Sequence, residues 1–168
     1  MKIEPIKGET IKASEKLVAK YLGDEVDPEI IESMVSGIAI NVIHRDGDVI
    51  GVGTAQPMTR GYRRKFKKQL GVNLAPNTLW ILDLVVDEAY RRRGIGWMLL
   101  EKIRRAYPDH ALFAEVWLES EASSLGLFQH LGLKEIARVE GYWRDVYCPK
   151  CGAETCNCTA VIMYKIRG

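Results

Sequence analysis

The sequence predicts a mixed α/β domain built around one sheet. Three observations point there. The run Leu79 to Val86 is apolar on both strand faces except at Asp83, the pattern of a central strand covered on each side. Amphipathic helical stretches stand before and after it. The order of elements reads helix, helix, hairpin, strand, helix, strand, helix, strand, strand, with strands and helices alternating through the second half. With 168 residues, 47% hydrophobic and 27% charged, the chain has the make-up of one globular domain spanning 1–168, which argues against disorder, a collagen-like chain and a two-domain enzyme.

Each element has its own local reason. From Thr10 to Leu22, the residues Ile11, Val18, Tyr21 and Leu22 fall near one helical face, and Gly23 suits the left-handed position after a helix. Asp27-Pro28 offers a capping side chain and then a proline at the first helical position. Ile30, Ile31, Met34 and Val35 are the expected buried stripe of that second helix, which ends at Gly37. Ile38, Ile40 and Val42 alternate, Asp46-Gly47 supplies a turn, and Val49 to Ala55 completes a β-hairpin. Asn73 to Asn77 reads as a loop. Beyond the central strand, a helix over Gly94 to Ala106 should bury Ile95, Met98, Leu99 and Ile103 and stop before Pro108. Ala111 to Leu118 is strand-like, Ala122 to Leu131 helical, and Leu133 to Val139 and Ala160 to Lys165 are the last strands.

Charge excludes some partners. Lys plus Arg is 24 and Asp plus Glu is 22, a formal net charge of +2, too small for bulk attraction to nucleic acid or membrane. One local block stands out, Arg60 to Lys68, with six positive side chains and no acid; a solvated helix or loop is the plain reading, and contact with nucleic acid or another acidic partner the alternative. No apolar stretch approaches the ~18 residues of a membrane span. Met1 to Pro5 lacks the apolar core of a signal peptide, so a cytoplasmic location is the expectation.

The strongest motif is Arg91-Arg92-Arg93-Gly94-Ile95-Gly96, between the end of a buried strand and the start of a helix. Its glycines allow close approach of a ligand, the first helical turn presents free N–H groups, and the arginines add charge-assisted contacts, so an anion such as a pyrophosphate fits. A dinucleotide fingerprint fits less well, because Asp87 to Arg93 separate the glycines from the strand and Leu99 occupies the third glycine position. Cys148-Pro-Lys-Cys151 and Cys156-Asn-Cys158 place four thiols in one short segment, a donor set suited to tetrahedral Zn²⁺ that resembles a zinc-ribbon knuckle. A zinc-binding loop over 147–159, inserted between the last two strands, would be structural. Free or disulfide-bonded thiols and an iron–sulfur cluster are the alternatives.

The stretch Leu82 to Leu100 resembles the acyl-CoA-binding core of the GNAT superfamily of N-acetyltransferases, whose R/Q-x-x-G-x-G/A signature Arg91, Gly94 and Gly96 match position for position. Leu127-Phe128, followed after three residues by Gly132-Leu133, is similar to the second signature of that superfamily. The resemblance implies a mixed sheet splayed between two central strands and flanked by helices, with acetyl-CoA in the splay. It implies that the amides of Arg92 to Gly96 hold the diphosphate and that Leu84, Val85 and Val86 pair with the pantetheine arm. An acetyl acceptor must be a neutral amine, and at pH 7 a lysine is neutral only about once in a few thousand molecules, so a base is needed. Glu115, on a strand face with Phe113 and Trp117, is the leading candidate, and Asp83 the second. Ala114-Glu115-Val116 also resembles the run carrying the catalytic glutamate of ribosomal-protein alanine acetyltransferases. Relatives with tyrosine at the position of Phe128 use it to protonate the departing thiolate; Phe128 cannot, and Tyr142 is the candidate substitute. The acceptor implied is a protein or peptide amine. A small-molecule amine, or a non-catalytic RNA- or protein-binding module on the same fold, are the other readings.

Overall fold

The computed structural model describes residues 1–23, 28–120, 123–144, 148, 151 and 156–166. The elements run β1 (Lys2–Pro5), α1 (Glu9–Leu22), α2 (Pro28–Ser36), β2 (Ile38–Ile43), β3 (Val49–Pro57), α3 (Arg60–Leu70), β4 (Thr78–Val86), α4 (Ile95–Ala106), β5 (Ala111–Trp117), α5 (Leu125–His130), β6 (Lys134–Glu140) and β7 (Thr159–Lys165). The strands form one seven-stranded sheet in the order β1-β2-β3-β4-β5-β7-β6. Every pairing is antiparallel except that of β4 with β5. No helix among the described residues is long and apolar enough to cross a membrane.

The sheet is covered on both faces, as the doubly apolar β4 requires. On one face α4 and α5 bury Leu99, Ile103 and Phe128 against Ile40, Leu79, Ile81 and Ala114. On the other, α1 and α2 cover the β2–β3 end through Leu17, Val18 and Ile30, while α3 covers the β5–β7 end through Phe66.

Several expectations need correction. β1 was not foreseen; it is too short to show alternation, and its place comes from pairing Ile3 with Val42 at the sheet edge. The α2 stripe is narrower than expected: Ile30 and Ser33 are buried, but Ile31, Met34 and Val35 are exposed, because this short helix meets the sheet along a single line of contacts. In α4, Leu100 is buried and Met98 is exposed. Asp27 and Ala122 lie outside the described residues, and α5 begins at Leu125. The Arg60–Lys68 block is helical, with Thr59 accepting from the Tyr62 amide as its N-cap and Gly71 closing it.

Two irregularities shape the middle of the sheet. β4 and β5 pair in parallel only from Thr78↔Ala111 to Ile81↔Ala114, so Leu82–Val86 and Glu115–Trp117 part company. On its other edge, β4 carries a bulge: Gly53 pairs with Leu84 and Ala55 with Ile81, which sets Leu82 and Asp83 opposite Thr54 alone. The bulge reverses the facing of β4. Leu79 and Ile81 point to the α4 side before it, and Leu84 and Val86 point there after it.

Candidate active site

A cleft of about 690 Å³ opens where β4 and β5 part. Its walls include Leu82, Asp83, Leu84, Val85 and Val86 from β4, and Glu115 and Trp117 from β5. Arg91, Arg92, Gly94, Ile95 and Gly96 close one end, and Phe128 of α5 lines the α4 side. Because β5 leaves at Ile81, the β4 main chain from Leu82 to Val86 has an edge free of a neighbouring strand, which an extended ligand can use.

The turn at the end of β4 is organised by its own side chains. Asp87 caps a short 3₁₀ turn, Glu88–Tyr90, by accepting from the Ala89 amide. Arg91 Nε donates to the Val86 carbonyl over 3.0 Å, and its guanidinium lies 4.6 Å from the centre of the Tyr21 ring. Arg93 donates to the Ala89 carbonyl over 3.2 Å and lies over Tyr90. Both arginines are thus engaged in shaping the loop, and Arg93 is not among the cleft-lining residues. Beside Arg92, which lines the cleft, what remains for an anion is main chain. The first helical bond of α4 runs from Met98 N to Gly94 O, so the amides of Ile95, Gly96 and Trp97 have no helical acceptor. Two left-handed residues, Arg92 at φ 60 and Gly94 at φ 77, curl the chain toward that helix end. Gly94 is needed for its left-handed backbone and not for space, since a Cβ there would meet nothing within 4 Å, whereas a Cβ on Gly96 would come within 3.1 Å of Leu127.

Glu115 sits on the opposite face of the sheet at the same divergence. Trp80 Nε1 donates to its Oε2 over 3.0 Å, and the Tyr142 hydroxyl donates to its Oε1 in a close contact. Burial pushes the Glu115 carboxyl above the usual range, against the two donors and the positive charge of Lys65, which pull it down. Burial and the neighbouring Glu115 carboxylate push the Tyr142 hydroxyl up, so it stays protonated and can donate. Around them stand Tyr62, whose ring is 5.0 Å from that of Trp80, and Trp143, 5.3 Å from Tyr142.

The other candidates line the same cleft at other points. Asp83 is buried at the bulge, where its Oδ2 accepts from Thr54 Oγ1 over 2.6 Å and its amide donates back to the same oxygen over 3.0 Å. These bonds tie it to Thr54 across the strand irregularity. Phe128 belongs to the α4-side core, on the face away from Tyr142. The structure therefore joins Glu115 with Tyr142 and separates both from Phe128. Trp80, Thr54 and Lys65 escaped the sequence reading, because only the register of β4 against β3 and β5 brings the first two to the carboxylates, and only the packing of α3 brings the third.

Cys148, Cys151, Cys156 and Cys158 lie between β6 and β7 with all four sulfurs within 4.8 Å of one another. Separations of 3.6, 3.7 and 3.8 Å exclude disulfides. They equal the edge of a tetrahedron with metal–sulfur bonds of ~2.3 Å, which is ~3.8 Å. Cys148, Cys156 and Cys158 are buried against Trp117 and Trp143, and Cys148 also lines the cleft. Among the described residues the buried Trp117 Nε1 completes no hydrogen bond, although the indole interacts with the Cys158 sulfur. Burial pushes the Cys158 thiol up to about 12, with the Trp117 indole pulling the other way, as an N–H aimed at a thiolate would. The donor set thus fits a thiolate-binding cation.

Comparison with known proteins follows this geometry. The model of the acetyltransferase (GNAT) family matches residues 16–133, from within α1 to the residue before β6. The chain belongs to that family. An N-alpha-acetyltransferase of Sulfurisphaera tokodaii is 34% identical over 68 residues, a match that spans 39% of this chain and 41% of that relative. In fold, this GNAT chain is similar to Arabidopsis thaliana NAA60 in complex with acetyl-CoA, with a TM-score of 0.71 at 14% identity over 99% of both chains. It is also similar to the ribosomal-protein-S18-alanine N-acetyltransferase of Escherichia coli, with a TM-score of 0.65 at 17% identity over 99% of this chain and 96% of that one. The expected splayed mixed sheet is the sheet observed.

Proposed function

We propose that this protein transfers an acetyl group from acetyl-CoA to the amine of a protein or peptide, by direct attack and with no covalent enzyme intermediate. The observation that carries the reading is the placement of Glu115, half-desolvated and doubly hydrogen-bonded, at the point where the two central strands separate. The diphosphate is held by the amides of Arg92 to Gly96, and the pantetheine arm pairs with the free edge of Leu84, Val85 and Val86. That order delivers the thioester to the divergence from the α4 face, while the acceptor enters from the face that carries Glu115.

The chemistry then needs two protons taken from the acceptor nitrogen in turn. The acceptor amine reaches Glu115 as an ammonium and loses a proton to it, directly or through a water. The neutral nitrogen attacks the thioester carbonyl, a C–N bond forms and the C–S bond breaks. Glu115 passes that first proton to solvent and, ionised again, takes the second proton from the nitrogen, and the thiolate, whose thiol has a pKa near 8.5, leaves either unaided or protonated by Tyr142, which Glu115 then reprotonates. Tyr142 and Trp80 hold the carboxylate in one orientation. Asp83 is kept as the second candidate base, working from the bulge.

A peptide amine is favoured over a small-molecule amine by the relative named as an N-alpha-acetyltransferase and by the Glu115 run that resembles ribosomal-protein alanine acetyltransferases. The four cysteines, we propose, hold Zn²⁺ as a structural clip that fixes Trp117 and Trp143 beside the cleft. Release of CoA thiol against a panel of peptides and polyamines tests the reading. Peptide-dependent release should fall by about 10²–10³-fold in Glu115→Gln. Release with no amine acceptor at all, or equal rates in that variant, would overturn it.

A further inference from the structure

We infer that the acceptor is an acidic peptide, recognised by the basic edge of α3 beside Glu115. The inference deepens the proposed reaction and rests on it for the position of the acceptor amine.

α3 lies between β3 and β4 in the chain and is held to the sheet by the buried Phe66, with Leu70 packed on the same cluster. Phe66 packs 5.4 Å from Trp80 and 4.8 Å from Phe113, ring centre to ring centre. Trp80 is the residue that donates to Glu115, and Tyr62 of α3 stacks edge-on against it at 5.0 Å. The helix is thereby locked at the rim of the acceptor side. Its charges are lopsided: Arg60, Arg63, Arg64, Lys65, Lys67 and Lys68 face no acid within the helix.

None of these six makes an ion pair among the described residues, whereas Lys20, Arg104, Arg105 and Arg138 on other elements all do. Arg63 is consumed by the carbonyls of Met58 and Pro76. The other five are exposed and pair with no carboxylate among the described residues. Lys65 lies three residues from both Tyr62 and Lys68, hence beside the Tyr62 edge that meets Trp80, and its charge reaches Glu115. An acceptor whose amine is at Glu115 and whose next residues leave on the α3 side passes a rim with several cations. Carboxylates there meet complementary charge, and lysines or arginines meet repulsion.

The test is a set of three peptides with one N-terminal residue and a C-terminal fluorophore, carrying Glu, Gln or Lys at the next three positions. Binding in the presence of CoA is read by anisotropy, and turnover with acetyl-CoA by thiol release. The Glu peptide should bind about tenfold tighter than the Lys peptide, the sum of several exposed charge contacts, and the gap should shrink as salt is raised. Arg64→Glu with Lys68→Glu should reverse the order, and Lys102→Glu on α4 should leave it unchanged. Equal affinities, or an order indifferent to the reversal, would overturn the assignment. So would a single-stranded RNA oligonucleotide that binds through the same cations and displaces none of the peptides. Preferential binding of the Glu peptide without turnover would leave the assignment standing and count against the proposed reaction.

Discussion

The indole of Trp80 donates to Glu115 over 3.0 Å, although Trp80 stands in register with Phe113, two residues earlier on β5. The bond therefore ties β4 to β5 just at the point where their main chains cease to pair, and it aims the carboxylate into the gap. A carboxyl held above its ordinary pKa by burial carries a folding cost when ionised. Its stability contribution is fully present below the unfolded value and is lost as pH rises through the higher folded one. Glu115→Gln should therefore be more stable than the wild type at neutral pH, with the gap closing as pH falls toward the usual carboxylate range. Thermal unfolding across that range reads the sign; a variant less stable at neutral pH would refute it.

The same group sets the acid limb of the rate. Glu115 works as a base only when ionised, so kcat/KM should drop as pH falls through an apparent pKa above that of an ordinary glutamate. Tyr142 donates a bond that lowers this pKa, and Tyr142→Phe removes it. The limb should then move to higher pH, with activity retained at alkaline pH. An unmoved limb would separate Tyr142 from the titrating group.

Asp83 and Thr54 answer to a different readout. Thr54 Oγ1 both donates to the Asp83 carboxylate and accepts from its amide, a double tie across the bulge. Thr54→Val leaves a buried carboxylate short of a partner and should cost about 1–3 kcal/mol of stability by urea unfolding. Asp83→Asn keeps the shape and an acceptor oxygen, and its rate should stay within about tenfold of wild type, against the far larger loss expected at Glu115. The opposite ranking would move the base to Asp83.

The sheet and the turn were legible because their signals are local. A strand apolar on both faces, an Arg-x-x-Gly-x-Gly turn and a helix starting at Ile95 are each written in a few adjacent residues. Glu115 was legible as an acid in an apolar run. The bulge opposite Thr54 was not, since one sequence carries no register, and its effect is to swap the facing of Leu84 and Val86 relative to Leu79 and Ile81. The same blindness hid Trp80, which reads only as one more apolar residue of β4. Charge alone left the place of α3 open, and Phe66 decided it by burying its ring on Trp80 and Phe113.

At the anion turn, glycines should matter more than arginines. Arg91 is spent on the Val86 carbonyl and the Tyr21 ring, so its loss loosens the loop but leaves the α4 amides in place. Gly94→Val forces a branched side chain into a left-handed backbone, at about 1–2 kcal/mol of strain at least, and turns those amides away. Calorimetric titration with CoA should show a loss of under about tenfold in affinity for Arg91→Ala and a larger one for Gly94→Val. Equal tolerance of the two would mean that side chains, not main chain, hold the diphosphate.

The cysteine cluster offers a test that does not depend on turnover. Three of its sulfurs are buried, and burial and the neighbouring thiols push the Cys158 thiol up, so without a cation those three should resist alkylation with or without a chelator, while the exposed Cys151 reacts. With Zn²⁺ bound, one ion per chain should survive desalting, and a chelator should open the clip and expose the thiols to alkylation. Because Trp117 and Trp143 pack on the cluster, tryptophan fluorescence should change in step. Cys156→Ser removes a buried ligand and should lower the melting temperature by about 5–10 °C, while Cys151→Ser, at the exposed corner, should weaken metal retention with a smaller loss. A protein purified free of metal, with melting and fluorescence unmoved by chelator, would return the four thiols to simple packing residues.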